Sequence, residues 1–347
     1  MNIRTNVSLR FLNTFGIESI ASHFVEIHEI DDVRKLLRDE GFRSRPHIIL
    51  GGGSNVVLAE KINATVIHNC LHGIDVVEES EEACVVRFAS GVVWHHAVQW
   101  SIERGLGGME NLALIPGTVG AAPIQNIGAY GTEAESVIVA VHAVDLRSSE
   151  AMTLAHADCA FGYRDSIFKR DLKDKVFITA VDMRLSKHPV INTSYADVQR
   201  ELTSRGIHAP TVRDVFNAVV TIRQRKLPDV AVLGNAGSFF KNPTVSRSVF
   251  EHLRTLYPSI PGFDAGENKK IPAAWLIEQC GCKGMRRGDA GVYEGHALVL
   301  VNYAHATATD ILTVAEEIRR CVLEKFSLML DVEVGIIDPN HSIHGTR

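Results

Sequence analysis

The stretch Lys226–Pro243 contains residue types that suit proton donation to an anionic substrate. Gly234 and Gly237 have no Cβ, so the backbone there can approach a flat ligand or adopt positive φ. Ser238 follows them, and we predict that it lies at the tip of a glycine turn with its hydroxyl exposed. A structural glycine turn before a buried strand would have the same pattern. The stretch alone therefore leaves both interpretations open.

Two other stretches are rich in glycine and poor in charge. Gly51–Asn55 follows an apolar run, and successive backbone N–H groups in such a turn can form a nest for an anion. Leu114–Gly131 is irregular and uncharged, and long loops of this kind tend to be functional. Small residues would let its main-chain amides reach a phosphate or a flavin-like ring, whereas a glycine-rich hairpin linker is the alternative. Neither stretch has the glycine pattern of a Rossmann or a P-loop site.

Two charged residues stand in settings that suit contact with a carboxylate. Arg164 follows Tyr163 in a predicted turn, where its planar guanidinium could clamp a carboxylate through two hydrogen bonds. A surface ion pair with Asp165 is the alternative. Glu333 lies in a run of period two, Leu328–Ile337, and points away from the apolar face. An ordinary exposed strand face explains Glu333 equally well, so neither residue identifies a site by itself.

The histidines and cysteines form no recognisable metal-binding pattern in the sequence. The six cysteines are scattered, and only Cys280 and Cys282 are close together, without a second pair or a suitably spaced histidine. His95 and His96 are adjacent in a predicted helix, so their side chains diverge by about 100° and chelate one ion poorly. We therefore expect reduced thiols, a structural role for the two histidines and no metal site.

Composition limits the class of protein. A chain of 347 residues predicts two domains, and its 46% hydrophobic and 22% charged residues are ordinary for a globular protein. The net charge of −5 argues against nucleic acid as a partner. The N-terminus lacks an apolar signal core, and no run approaches the roughly 18 apolar residues that a membrane span needs. We expect a cytoplasmic protein without membrane insertion.

Periodicity and end signals place the elements that must position these residues. Helices are predicted from a cap at Ile30–Asp32 to a stop at Gly41, from Val92 to Glu103, from Tyr195 to near Gly206, from Thr211 to Arg225, from Ile271 to Gln279, and from Asp310 to Lys325 with Thr309 as N-cap. Strands are predicted at His47–Leu50, Val56–Leu58, Cys84–Phe88, Val137–Val141, Val176–Met183, Ala297–Asn302 and Leu328–Ile337.

Five motifs occur together and in a fixed order. They are Leu50–Asn55, Ile115–Gly131, Tyr163–Ser166, Gly234–Pro243 and Leu330–Val334. In this combination the chain resembles the UDP-N-acetylenolpyruvoylglucosamine reductase family, cytoplasmic flavoenzymes of bacterial peptidoglycan synthesis, from Asn13 to Ile337. Residues 187–214, which include Tyr195, resemble the longer of two family variants, in which an added loop with a tyrosine covers the substrate.

The resemblance implies an α+β chain in which FAD is bound by a PCMH-type (vanillyl-alcohol-oxidase-like) fold. It places an FAD-binding domain of two α+β subdomains at 13–186 and a loop insertion at 187–214. A C-terminal α/β substrate-binding domain follows at 215–330, and a strand and tail at 331–347 return to the active site. NADPH and a UDP-sugar are the implied small-molecule partners, and we expect a monomer.

The resemblance also implies a reaction. The flavin hydride, obtained from NADPH, adds to the terminal vinyl carbon of the enolpyruvyl ether of UDP-N-acetylglucosamine, and protonation of the adjacent carbon produces UDP-N-acetylmuramate. Negative charge then develops on the carboxylate, and catalytic groups must be aimed at that charge. Arg164 and Glu333 match the residues that flank the carboxylate, Glu333 acting as a positioning group or in its neutral form. Ser238 matches the proton donor.

The resemblance also implies binding positions, which are matched to this sequence one residue at a time. The residues that match flavin-contacting positions are Gly51, Gly52, Gly53, Ser54, Asn55, Pro116, Gly117, Gly120, Ala121, Gln125, Asn126, Ile127, Gly128 and Arg223. Those that match positions holding the UDP-sugar are Tyr130, Tyr195, Lys226, Asn242 and His296. Four positions depart from the family pattern: His296 replaces a common glutamine, Phe263 a tyrosine, Val332 a proline and Gly335 an arginine.

Two rival functions fit parts of the pattern. One is a flavin-dependent oxidase or dehydrogenase on the same fold, against which the Gly234–Pro243 motif and the lack of an obvious flavin-attachment signature argue. The other is a non-catalytic module that binds a nucleotide sugar or a flavin. In such a module, Ser238→Ala would change ligand affinity only.

Overall fold

The computed structural model describes residues 2–338 and 343–344. Its α-helices are α1 (Ile30–Arg38), α2 (Glu40–Arg43), α3 (Trp94–Glu103), α4 (Ala196–Ser204), α5 (Val212–Lys226), α6 (Arg247–Leu256), α7 (Ala273–Gln279) and α8 (Ala308–Phe326). Short 3-10 turns lie at Arg10–Leu12, Glu110–Leu112, Val119–Ala121, Ala134–Ser136, His156–Cys159 and Ile167–Lys169.

The strands are short and numerous. They are β1 (Arg4–Ser8), β2 (Ile20–Ile27), β3 (His47–Leu50), β4 (Val56–Leu58), β5 (Lys61–Asn69), β6 (Ile74–Glu79), β7 (Ala83–Ala89), β8 (Gly128–Ala129), β9 (Thr132–Glu133), β10 (Ile138–Asp145), β11 (Ala151–Ala155), β12 (Val176–Ser186), β13 (Gly234–Ser238), β14 (Thr244–Ser246), β15 (Phe263–Ala265), β16 (Asn268–Lys270), β17 (Arg286–Arg287), β18 (Ala290–Val292), β19 (Val299–Asn302), β20 (Gly335–Ile337) and β21 (Ile343–His344).

The contacts divide the chain into two compact units. The first unit comprises the residues up to Asn6 together with Ser22–Gly52 and Ala64–Arg225. The second comprises Val7–Ala21, Gly53–Asn63 and the chain from Lys226 onward. Each unit mixes helices with sheets, in agreement with the predicted α+β class.

The first unit contains two large sheets, besides the two-stranded pair β8-β9, and two apolar cores. Strands β1, β2, β5 and β3 form one sheet in that order, most of whose residues fall in this unit. Helices α1 and α2 cover it, because Leu36 and Phe42 pack with Ile27 of β2 and Ile67 of β5. The other sheet has the order β11-β10-β12-β7-β6 and is antiparallel. It shares a core with α3, α4 and α5, so these three helices are fixed by apolar burial against this part of the unit.

The second unit is built around a four-stranded antiparallel sheet in the order β13-β19-β18-β17. Phe239 and Phe240, which follow β13, are buried in one core with the apolar faces of α7 and α8. A three-stranded sheet, β14-β16-β15, and a second one, β21-β20-β4, complete the unit. Strand β20 runs parallel to β4 and antiparallel to β21. Strand β20 is thereby held against β4, the segment that follows the Gly51–Asn55 turn.

Most predicted elements are confirmed, and two helix ends are wrong. The first predicted helix does not run to Gly41: α1 ends at Arg38, and the Asp39 carboxylate then accepts a hydrogen bond from the Phe42 amide, 2.7 Å, to start α2. The N-cap of α8 is Thr307, not Thr309. Thr307 and Asp310 bond each other's backbone amides reciprocally, and this capping box begins the helix two residues earlier.

Two predicted local structures near the candidate site are also wrong. Ser238 does not lie at the tip of a glycine turn, because Gly234–Ser238 is itself a strand with a bulge between Asn235 and Ser238. The run Leu328–Ile337 is not one continuous strand. Phe240 bridges Val332, and only Gly335–Ile337 forms β20 on a different partner. The period-two pattern predicted the faces correctly, since Leu330 and Val334 are buried, but pairing partners change along the run.

The predicted limits at residues 186, 214 and 330 do not coincide with the two units. Helix α5 groups with the first unit, and the early segments Val7–Ala21 and Gly53–Asn63 group with the second. Backbone pairing over long sequence distances, such as that of Gly335 with Asn55, joins these segments to the C-terminal chain. Within the described residues, no helix combines the length and apolar composition that crossing a membrane requires.

Candidate active site

The predicted cofactor loop Leu114–Gly131 is held in an irregular path in the first unit. Leu114 and Tyr130 both have positive φ, 58° and 49°, a conformation that non-glycine residues rarely adopt. The Leu114 amide donates to Nδ1 of His95, 3.0 Å, and Nε of Arg223 donates to the Leu114 carbonyl, 3.2 Å. The His95 ring stacks on Phe216 with parallel planes 5.7 Å apart at their centroids. His95 therefore has the structural role that the sequence predicts.

Arg223 links two parts of this loop. Besides Leu114, its side chain bonds Tyr130. Burial lowers the pKa of the Arg223 guanidinium and raises the pKa of the Tyr130 phenol, although each group partly offsets the shift of the other. Arg223 is thus a fixed positive charge at the loop predicted to contact the flavin, where an anionic group would gain from it.

Asn126 is the polar centre of the loop. It is fully buried with φ of 45°. Its Nδ2 donates to Glu133 at 3.1 Å, to Glu135 at 3.0 Å and to the Gly162 carbonyl at 3.2 Å, and its Oδ1 accepts from the Glu135 amide at 2.9 Å. All polar atoms of the Asn126 side chain have protein partners. The side chain therefore fixes the shape of the loop through its hydrogen bonds.

We expect Asn126→Ala to destabilise the protein by about 3 kcal/mol, because buried partners of the lost amide would be left unsatisfied. Asn126→Asp keeps the shape but removes both donors and adds a negative charge beside Glu133 and Glu135, so it should cost at least as much. Urea unfolding midpoints of the two variants check this. Midpoints equal to wild type would contradict the assigned role of the amide.

The space around Gly51 and Gly52 tests whether these residues of the first unit could contact a cofactor. A Cβ on Gly51 would lie 2.5 Å from Oγ1 of Thr118, and one on Gly52 would lie 3.0 Å from Cα of Gly117. At Gly52 the two glycine-rich stretches thus pack backbone to backbone, and at Gly51 the Thr118 hydroxyl occupies the space that a side chain would need. Backbone without side chains suits close contact with a flat ring or a phosphate, so these glycines fit the chemistry of a flavin cofactor.

Other predicted cofactor residues contribute to this surface through shape. The amides of Gly120, Ala121 and Ile127 donate to carbonyls of Ser90, Thr118 and Ala122. Gly120 also has no room for a side chain, because its Cβ would lie 2.6 Å from Cβ of Ser90. Of the remaining candidates, Pro116 is exposed, and Ser54, Gln125 and Gly128 are half-buried.

Arg164 lies at a tight turn in the first unit. Gly162 and Asp165 exchange both backbone hydrogen bonds, 3.0 and 3.1 Å, which leaves Tyr163 and Arg164 at the tip. Arg164 has φ of 54°, and its Nη2 donates to the Gly128 carbonyl, 3.0 Å. Asp165 pairs with Arg170 at 3.0 Å. The turn and the loop carbonyl together orient the guanidinium of Arg164.

Tyr130 and Tyr195, both predicted to hold the UDP-sugar, are brought together. Their rings meet edge to face with centroids 5.2 Å apart. Nδ2 of Asn192 donates to the Gly131 carbonyl, 3.0 Å, and Nδ2 of Asn111 donates to the carbonyls of Tyr130 and Asn192, both at 3.0 Å. The insertion that carries Tyr195 is therefore fastened to the cofactor loop, and sequence analysis missed the two asparagines that do this. The uncharged amide side chain of each asparagine was the only signal that the sequence offered for this role.

Ser238 ends β13 in the second unit with its side chain exposed. Gly237 has φ of 70° at the bulge, and the Asn235 side chain accepts from its amide at 3.0 Å. Phe239 and Phe240 are buried directly after Ser238. The hydroxyl is thus presented at the surface by a strand end that a bulge and two buried rings fix in place.

The segment 331–333 brings Glu333 beside Ser238. The Glu333 amide donates to the Phe239 carbonyl, 2.9 Å, and the Lys241 amide donates to the Asp331 carbonyl, 2.9 Å. Ser238 is the residue before Phe239, so the backbone of Glu333 pairs next to Ser238. The two residues are 95 positions apart in the sequence, and the structure makes them neighbours.

Thr14 joins the predicted cofactor residues around Gly53 to strand β13, and the sequence analysis missed this role of Thr14. Its Oγ1 donates to the Asn235 carbonyl, 2.6 Å, and its amide donates to the Gly53 carbonyl, 3.1 Å. Nδ2 of Asn55 donates to the Glu333 carbonyl, 3.4 Å. A lone threonine in a turn carries no sequence signal for such a role.

The remaining substrate candidates are Lys226, Asn242 and His296, which all belong to the second unit. Burial and the positive charge of Lys226 lower the pKa of His296, so its imidazole is neutral at neutral pH. Nδ1 of His296 accepts from the Leu298 amide, 3.3 Å. Oδ1 of Asn242 accepts from the Ala273 amide, 2.9 Å, at the start of α7. Phe263 is 62% exposed on β15.

Comparison with known proteins covers almost the whole chain. Residues 228–337 match a family model described as the UDP-N-acetylenolpyruvoylglucosamine reductase C-terminal domain, and residues 21–154 match one described as an FAD binding domain. A protein of Flavobacterium johnsoniae named UDP-N-acetylenolpyruvoylglucosamine reductase is 45% identical over 339 residues, which is 97% of this chain and 100% of that protein. One of the same name from Chromobacterium violaceum is also 45% identical, over 97% of this chain and 99% of its own.

A crystal structure gives the same picture of the fold. UDP-N-acetylenolpyruvylglucosamine reductase from Thermus caldophilus aligns with a TM-score of 0.69 at 22% identity, over 96% of this chain and 99% of that chain. Together with the FAD binding domain match, it confirms the PCMH-type fold expected from the motifs.

Proposed function

Because this chain belongs to the UDP-N-acetylenolpyruvoylglucosamine reductase family, we propose that Ser238, Glu333 and Arg164 act directly on the enolpyruvyl group of its substrate. The protein is an FAD-dependent oxidoreductase of peptidoglycan precursor synthesis. It uses NADPH to reduce UDP-N-acetyl-3-O-(1-carboxyvinyl)-glucosamine to UDP-N-acetylmuramate. The rival oxidase and binding-module functions are not favoured by the names of its relatives.

The glycine-rich stretches would hold the cofactor. When bound, FAD supplies the hydride that NADPH provides. We assign its contacts to Gly51–Asn55, to Pro116–Gly128 and to Arg223. The close packing of Gly51 and Gly52 against the second stretch supports this, as does the fixed positive charge of Arg223.

Ser238 would donate the proton. Hydride addition to the terminal vinyl carbon leaves an enolate, and the adjacent carbon then takes a proton from Oγ of Ser238, which recovers one from solvent. A serine hydroxyl is a weak acid in water, but the enolate carbon is strongly basic. The exposed position of Ser238 at a fixed strand end supports this role, because a general acid must reach its acceptor in a defined geometry.

Arg164 and Glu333 would control the substrate carboxylate. Negative charge grows on this carboxylate as the enolate forms, and a positive group already in place lowers the barrier. Arg164 is held in such a fixed position by its turn and by the Gly128 carbonyl. Glu333 would position the carboxylate or donate to it in its neutral form.

The residues that would hold the UDP-sugar fall into two groups. Tyr130 and Tyr195 meet in the first unit, and Tyr195 on the fastened insertion would cover the substrate as in the longer family variant. Lys226 would contact the diphosphate, with neutral His296 in place of the common glutamine and Asn242 as a further polar contact. A neutral imidazole can donate and accept hydrogen bonds, as glutamine does.

One observation carries the assignment of the catalytic pair. Backbone pairing of 331–333 with 239–241 puts Glu333 next to Ser238, although the two are distant in sequence. Ser238 is exposed and Glu333 is half-buried, so a ligand could reach both side chains. We also propose that the protein is cytoplasmic and monomeric. Sedimentation at the protein concentration of the activity assay would check the monomeric state.

The function is tested by following flavin absorbance without oxygen. NADPH should bleach the bands, and the enolpyruvyl sugar nucleotide should restore them with formation of UDP-N-acetylmuramate. Restoration by air alone would instead indicate an oxidase. A protein that takes up no FAD would overturn the assignment.

We expect Arg164→Lys to lower kcat/KM by about 10- to 100-fold, because lysine keeps the charge but loses the planar pair of donors. Arg170→Lys is the matched control, since Arg170 is the neighbouring arginine that pairs with Asp165 on the surface. Steady-state kinetics check both variants. A control as impaired as the test variant would show that the turn, and not the guanidinium, matters.

A further inference from the structure

Strands β2 and β5 bring three metal-ligating side chains together in the first unit. Glu26, His68 and Cys70 each offer one ligand atom, and these atoms all lie within 4.8 Å of one another. Sγ of Cys70 is 3.2 Å from Nδ1 of His68, which in turn is 3.9 Å from Oε1 of Glu26. Among the residues that the structure describes, this is the one group of three such atoms at that spacing.

The pairing of strands explains why the three meet. The Cys70 amide donates to the Ile27 carbonyl, 2.9 Å, which sets Cys70 beside the end of β2. Ile27 and Ile67 are buried under α1 and α2, so Glu26 and His68, one position away, point to the opposite face of the sheet. Cys70 is two residues beyond His68 and shares that face. All three side chains are half-buried.

The geometry points to a site for a borderline-soft divalent cation of the Zn²⁺ class, and we propose that Glu26, His68 and Cys70 bind such an ion. Thiolate, imidazole and carboxylate are the ligands that Zn²⁺ takes in proteins. In a tetrahedral zinc site neighbouring ligand atoms are about 3.5 Å apart, given bond lengths near 2.0–2.3 Å. The distances of 3.2 and 3.9 Å lie on either side of that value. The third pair, Sγ of Cys70 and the Glu26 oxygen, lies within 4.8 Å, and side-chain rotations would bring the three atoms to the tetrahedral spacing.

Charge and surroundings also suit the ion. A thiolate and a carboxylate balance the two positive charges of the cation. Arg4 lies 3.2 Å from Oε2 of Glu26, the oxygen that does not face His68, and would orient the carboxylate as outer partners of metal ligands do. Burial lowers the pKa of His68, which keeps its imidazole neutral and able to bind a cation.

Three protein ligands leave a fourth position open, so we expect an exchangeable ion. Burial raises the pKa of Cys70, and the metal must therefore displace the thiol proton as it binds. These residues are separate from those assigned to the reaction. Metal binding should accordingly be measurable without any loss of the flavin.

Co²⁺ titration of the FAD-loaded enzyme tests the site, because tetrahedral Co²⁺ with a thiolate ligand absorbs in the red, beyond the flavin bands. We expect a saturable red band that Zn²⁺ displaces. Cys70→Ser should weaken binding at least about tenfold, whereas Cys321→Ser, at another half-buried cysteine, should leave it unchanged. Steady-state reductase activity without added metal should match wild type in both variants.

Two results would overturn the proposal. One is the absence of a red band at millimolar Co²⁺; the other is a band that survives Cys70→Ser or disappears with Cys321→Ser. If Cys70→Ser fails to fold, His68→Gln decides in its place, since it removes the central ligand and keeps a polar side chain. Retained Co²⁺ affinity in that variant would equally contradict the site.

Discussion

Replacement of Ser238 by alanine should lower kcat by about 10²–10⁴, because it removes the group proposed to protonate the enolate. Ser238 is exposed at the end of β13, so the change creates no cavity and should leave the unfolding midpoint near wild type. Reduction by NADPH should also keep its normal rate, since that step needs no proton from Ser238. Stopped-flow absorbance separates the two half-reactions.

The control is Ser259→Ala, which makes the same chemical change at an exposed position in the same unit. It should leave both half-reactions unchanged. Ser238→Ala with a normal turnover number and only a weakened substrate affinity would contradict the role as proton donor. That result would favour Ser238 as a binding group.

Replacement of Gly234 by alanine should destabilise the second unit by about 3 kcal/mol or more. The new Cβ would lie 2.2 Å from the Phe15 carbonyl oxygen, which is backbone and cannot swing away. The Nδ2 group of Asn302 already donates to that oxygen, 3.0 Å, so movement of Phe15 would also break a buried hydrogen bond. Urea unfolding followed by circular dichroism measures the loss.

Gly237→Ala is the matched control three residues along the same strand. Gly237 has φ of 70° but nothing within 4 Å of its Cβ position, so only backbone strain applies there. That strain costs about 1–2 kcal/mol. If Gly234→Ala is no more harmful than Gly237→Ala, the proposed clash with Phe15 does not limit stability.

Much of the local structure follows from short-range patterns. The apolar run His47–Leu50 is a strand within its predicted limits, and the helix carrying Val215 and Val219 buries the predicted face. Such elements depend on side chains a few residues apart, which the sequence displays directly. Helix ends follow less directly from the pattern, because Thr307 and Thr309 are both suitable caps and the reciprocal bond with Asp310 decides between them.

The candidate site was predicted through motifs more than through single residues. Arg164, Ser238 and Glu333 each had an ordinary structural explanation when taken alone. Their ordered combination indicated the family, and relatives 45% identical over nearly the full chain support that family. The assignments of individual residues stay predictions, for which the kinetic variants above are the test.

By itself the sequence determined most local elements and the residue types available for chemistry, because these follow from local periodicity. Its contiguous motifs also carried the resemblance to the family, which implied the class of fold and the kind of cofactor. Only the tertiary structure decided which distant residues meet. The Asn235 amide donates to the Thr14 carbonyl, and the Glu333 amide pairs next to Ser238, through backbone groups of the kind that almost every residue possesses. Glu26 likewise joins His68 and Cys70 only because β2 and β5 pair in one register. Backbone hydrogen bonds carry no side-chain signature, so their long-range partners are not readable from residue types.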